Sequence, residues 1–129
     1  MATINRFEEI QAWQKSRALC QKVFSITSNE LFSQNFALKN QIRRSSGSIM
    51  DNIAEGFERG SKKEFIHYLF IAKGSAGEVR SQLYRAYDSA YISEEELDSL
   101  VNEVSAISGM LMNFINYLKK TDISGQKFK

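Results

Sequence analysis

No proline interrupts the 129 residues of this chain. Proline removes a backbone donor and clashes with the carbonyl four residues back, so a chain without it can carry helices of many turns. Turn dipeptides are also few, which leans the reading to all-α. Four stretches then repeat apolar residues every three or four positions. Ile10, Trp13, Leu19, Cys20, Val23, Phe24 and Ile26 predict a helix over 8–28. Residues 28–35 lose the period and supply cap-type side chains, so the chain turns there. Leu38, Ile42, Ser45, Ile49, Ile53 and Phe57 predict a second helix over 34–58, ended by Gly60. Ser61 and Glu64 have capping-box spacing and open a third helix over 62–90, with Phe65, Leu69, Ala72, Ala76, Val79, Leu83 and Ala86 inward. Ser93 and Glu96 repeat the box before a fourth helix over 94–120, whose seam runs from Leu97 to Leu118. Residues 121–129 read as a loose tail. Four amphipathic helices on short connections predict one domain, 1–129, folded as an up-down-up-down antiparallel four-helix bundle.

With 43% apolar and 25% charged residues the chain is expected to be globular rather than disordered. A net charge of +2 is too mild to indicate nucleic acid by itself. The single cysteine, Cys20, excludes an intrachain disulfide, and neither a signal peptide nor an apolar run long enough for a membrane span is visible. A cytoplasmic protein without a membrane partner is the expectation. Phe36, Ile66, Tyr68, Phe70, Ile71, Tyr84, Tyr87, Met110, Met112, Phe114 and Tyr117 cannot all point inward on so small a bundle, which favours an interface with a second copy or a partner protein.

The middle helices carry a second, polar stripe. Arg44, Ser48, Asn52, Glu55 and Arg59 share one face of the second helix, and Gly74, Glu78, Gln82 and Arg85 one face of the third. Folding the pair about the turn at 59–62 places Arg44 opposite Glu78, Ser48 opposite Gly74, Asn52 opposite Phe70 and Glu55 opposite His67. An exposed ion-pair face would be worth about 0–1 kcal/mol per pair. A partly buried network, with Gly74, Ser75, Ala76 and Gly77 allowing close backbone approach, is the favoured reading, because helix glycines are otherwise destabilising.

Phe7-Glu-Glu-Ile-Gln-Ala-Trp13, Gln41-Ile-Arg-Arg44, Asn52-Ile-Ala-Glu-Gly56 and Ala72-Lys-Gly-Ser-Ala-Gly-Glu78 resemble the bacterial four-helix bundle proteins encoded within intervening sequences of 23S ribosomal RNA genes, over about residues 6–120. The accessory protein of phage diversity-generating retroelements is a related branch. The resemblance implies a homo-oligomeric, pentameric ring of bundles that binds nucleic acid, and assigns the family's motif to Arg43, Arg44, Asn52, Glu55, Gly56, Gly74, Ser75 and Glu78. Where relatives commonly have a small apolar residue and often proline, this chain has Gly47-Ser-Ile-Met-Asp51, so a more regular second helix is expected.

No residue set specifies an enzyme. Glu64 and His67 have the spacing of a di-iron ligand pair, but such a centre needs the motif twice and His67 is the only histidine; Glu64 is better used by the cap and His67 as a partner of Glu55 or a surface group. Cys20 lies on an apolar seam, where a cysteine acts as a small hydrophobe. No metal and no cofactor is expected. Charge placement is more informative: the bundle end that holds the second turn and the C-terminus gathers Arg6, Arg59, Lys62, Lys63, Lys119, Lys120, Lys127 and Lys129 against Glu8, Glu9, Glu58, Glu64 and Asp122, while the opposite end holds Glu30, Asp88, Glu94, Glu95, Glu96 and Asp98 with few cations. Aligned copies would join the basic ends into a collar. The reading is therefore a non-enzymatic homo-oligomeric bundle that binds structured RNA or DNA electrostatically through Arg43, Arg59, Lys62, Lys63, Lys119 and Lys120, with a network at Arg44, Asn52, Glu55, Gly56, His67, Gly74, Ser75 and Glu78. The alternative is a protein-interaction scaffold without nucleic-acid binding.

Overall fold

The computed structural model of the protein describes residues 4–121, so the predicted tail after Thr121, with Lys127 and Lys129, lies outside the described residues. A 3-10 turn at Phe7–Glu9 precedes α1 (Gln11–Thr27), α2 (Glu30–Ser33), α3 (Phe36–Glu58), α4 (Lys62–Asp88) and α5 (Glu94–Lys120). Among the described residues there is no strand. The four long helices pack in chain order, α3 on α4 most extensively, then α4 on α5 and α1 on α3, while α1 and α5 close the ring with the slightest contact. This is the up-down-up-down bundle that the apolar periods predict.

The core is a single seam-on-seam cluster. Phe32, Phe57, Phe65, Leu19, Ile42, Ile49, Ile53, Leu69, Leu83, Ile107 and Leu111 are fully buried, each worth about 1.5–3 kcal/mol against exposure. Phe65 stands edge-on to both Phe57 and Phe114 at 5.9 and 5.3 Å, tying α3, α4 and α5 together at one end. As expected from Gly47-Ser-Ile-Met-Asp51, α3 runs without a break from Phe36 to Glu58.

Four local readings are corrected. The first helix does not start at residue 8: Ile10 is extended and 3% exposed, driven into the core between the 3-10 turn and α1. The connection at 28–35 is not a plain turn but holds α2, because Asn29 Oδ1 accepts from the Phe32 N–H (2.8 Å) and Asn35 Oδ1 from the Leu38 N–H (3.0 Å). Capped in this way, α2 delivers Phe32 into the core, stacked on Tyr91 at 5.0 Å. Phe24, predicted inward, is 61% exposed. The third long helix ends at Asp88, where the Tyr91 N–H reaches the Ala86 carbonyl and the Ala90 N–H the Tyr87 carbonyl. That is a Schellman termination, and it forces Ala90 to φ +63°, where glycine is the usual occupant.

Of the two capping boxes, the one at Ser93 and Glu96 is complete. At Ser61 the hydroxyl accepts from the Glu64 N–H, while the Glu64 carboxylate lies 4.0 Å from Arg59. Of the apolar residues predicted to be surplus, Phe36, Phe70, Ile71, Tyr84 and Tyr87 are exposed, whereas Ile66, Met110, Met112, Phe114 and Tyr117 are half-buried against the core.

Candidate functional site

Antiparallel packing brings the end of α3, the start of α4 and the end of α5 together, and with them cations far apart in sequence. The Lys62 ammonium donates to the Thr121 carbonyl. The Lys119 Nζ stands 5.3 Å from the centre of the Phe70 ring. Lys63 and Lys120 are exposed, and neither is paired with an acid among the described residues.

Arg59 sits at the same end but is already engaged. Its Nε donates to Glu55 at 2.9 Å and its Nη2 to the Tyr68 hydroxyl at 2.8 Å, with the guanidinium 5.1 Å over the Tyr68 ring. The hydrogen bond to Glu55, then the nearby Tyr68, push its pKa further up. Arg59 thus clamps the α3–α4 turn. Arg43 is not part of this end. Its Nε donates to Thr27 Oγ1 at 2.8 Å and its guanidinium lies 4.4 Å over Phe24, about 24 Å along α3 from Arg59 at 1.5 Å per residue.

The polar stripe between α3 and α4 forms at its centre. Ser48 Oγ and Ser75 Oγ are 2.9 Å apart, and Asn52 Nδ2 donates to the Ser48 carbonyl at 2.8 Å and to Ser48 Oγ at 2.9 Å. Arg85 Nη1 donates to Gln41 Oε1 at 3.0 Å. Ser48 meets Ser75 rather than Gly74, one residue from the predicted register. The two predicted charge pairs are absent. Glu55 bonds Arg59 one turn away, and His67 stands edge-on to Tyr68 at 5.3 Å. Arg44 and Glu78 are both exposed and form no ion pair with each other.

The expected close approach at Gly74–Gly77 is also absent; a Cβ at Gly47, Gly74 or Gly77 would meet nothing within 4 Å. The helices approach at Gly56, where a Cβ would fall 2.7 Å from Tyr68 Cβ and 3.0 Å from Phe65 Cδ1.

Sequence reading placed Gln82 on the stripe but did not single it out as a site. It is 8% exposed and its Oε1 has no hydrogen-bond partner. Its position two turns after Ser75, on the same helix face, is the signal that would have found it. The Arg43–Thr27–Phe24 cluster had no such signal, because it joins two helices.

Elsewhere the chemistry is sparse. Burial raises the pKa of the Cys20 thiol, which lies 3.6 Å from Met50 Sδ, so little nucleophilic thiolate is present near neutrality. Among the described residues no three His, Cys, Asp or Glu side chains gather to hold a metal. No described helix is long and apolar enough to cross a membrane.

The family model described as 23S rRNA-intervening sequence protein matches residues 8–113. A crystal structure of a protein of unknown function from the S23 ribosomal protein family of Bacteroides thetaiotaomicron VPI-5482 is similar at a TM-score of 0.75 and 29% identity, over 81% of this chain and 95% of that one. No curated protein matches.

Proposed function

The chain belongs to the 23S rRNA-intervening sequence protein family, and from that premise we propose that it is a non-enzymatic, homo-oligomeric helical bundle that binds structured RNA or DNA through one basic end. The observation that carries the reading is the convergence of Lys62 and Lys63 with Lys119 and Lys120 across the α4–α5 packing. Two of these lysines, Lys63 and Lys120, are exposed and have no ion pair among the described residues, the state in which a lysine exchanges its counterion for a phosphate. Nothing in the bundle offers a base-reading element, so binding is electrostatic and weakly selective. Arg59 contributes by holding the turn that presents Lys62 and Lys63. The family of the similar Bacteroides thetaiotaomicron protein, a ribosomal protein family, accords with an RNA ligand.

The test is fluorescence anisotropy with a labelled RNA hairpin and a DNA duplex at fixed salt. Lys63→Glu with Lys120→Glu, which removes two exposed cations that make no ion pair among the described residues, is expected to weaken binding at least tenfold. Unchanged affinity would overturn the assignment of this end.

A second reading rests on the opposite end. Phe24, Leu31 and Phe36 are 61, 61 and 67% exposed there, with Lys39 over Phe36 at 5.0 Å. Such a patch suits a protein-interaction scaffold, and indifference to both nucleic acids at low salt would favour it.

A further inference from the structure

The outer flanks of α3 and α4 carry groups that a single copy leaves unused. Arg44 and Glu78 are exposed, and neither makes an ion pair or side-chain hydrogen bond with another described residue. The Ser48–Ser75 contact fixes the register. Arg44 lies four residues before Ser48 and Glu78 three after Ser75, so cation and anion stand at the same level on the two helices. Gly47 on α3 and Gly74 and Gly77 on α4 face open space. Glycine inside a helix is less favourable than alanine, so packing within the chain does not account for these three.

We infer that the outer flank of α3 in one copy docks on the outer flank of α4 in the next, with Arg44 paired to the partner's Glu78, in an assembly whose rotation axis runs parallel to the helices. This rests on the homo-oligomeric part of the proposed function and adds its location. Rotation about such an axis keeps heights unchanged. Gly47 then comes level with the partner's Gly74 and Gly77, where two backbones can approach, and Arg44 level with the partner's Glu78. A guanidinium presents a fork of donors that matches the Glu78 carboxylate. Every basic end also points the same way, so the cations of the α4–α5 end add. A second copy fits better than nucleic acid, because a copy supplies both Arg44 and Glu78, whereas a phosphate could match only the cation.

Light scattering during size-exclusion chromatography at 10–100 µM, a range of about one decade, tests this with wild type, Arg44→Glu, Glu78→Arg and the double exchange. Both positions lack ion-pair and side-chain hydrogen-bond partners among the described residues, so helicity by circular dichroism serves as the control for folding. Wild type is expected to assemble, each single exchange to raise the dissociation constant at least tenfold, and the double exchange to restore assembly. If wild type stays a single copy, the oligomeric reading itself fails. If it assembles and the single exchanges assemble as tightly, or the double exchange does not recover, the oligomer stands and this location is wrong. Assembly only after RNA is added would also overturn direct contact between copies.

Discussion

At the scale of the residue, Gly56 shows how one residue type carries different consequences at different positions. Six glycines lie between residues 47 and 109, and helix propensity treats those inside helices alike. Only Gly56 stands where a methyl group would collide with the fixed root of Tyr68, 2.7 Å away. Gly56→Ala is therefore expected to lower stability by about 1–3 kcal/mol, the usual cost of overpacking, read as a drop in the urea midpoint at unchanged slope. Which glycine mattered was not legible beforehand, because the close approach depends on how α3 crosses α4. The Arg44–Glu78 and Glu55–His67 pairs failed for a related reason. Register arithmetic assigns levels along two helices, but not the direction around each helix, and a long side chain finds the nearest partner. For Glu55 that partner was Arg59, four residues on.

At the scale of the element, the four long helices were legible because their inward positions repeat over more than four turns, and Asn35, Ser61 and Ser93 cap the starts of α3, α4 and α5. The shorter features were not. A four-residue helix such as α2 contains barely one turn and has no period to read, and its existence depends on Asn29, Asn35 and the tertiary stacking of Phe32 on Tyr91. The end of α4 depends likewise on Ala90 adopting φ +63°, a conformation that costs a Cβ-bearing residue about 1–2 kcal/mol. Ala90→Gly keeps both terminal hydrogen bonds and is expected to raise stability by about 0.5–1 kcal/mol after the added freedom of the unfolded chain. Thermal melting followed at 222 nm checks it, and a fall in midpoint would show that the methyl group contributes more than the strain.

At the scale of the whole molecule, charge is arranged by topology rather than by amount. A net +2 says little, yet packing α4 against α5 places Lys62, Lys63, Lys119 and Lys120 together, while Glu94, Glu95, Glu96 and Asp98 open α5 at the other end. This separation was legible once four antiparallel helices were recognised. The outlying position of Arg43, held by Thr27 and Phe24, was not, since a motif neighbour of Arg44 need not share its end of the bundle. The central claim is that this basic end neutralises phosphates, and its most direct measure is the affinity for a structured RNA hairpin across a salt series from low to physiological concentration. Four lysines acting together predict a linear fall of log K with log salt, with a slope near −3 and steeper where assembled copies contribute. Binding that is absent, or that does not change with salt, would contradict the account.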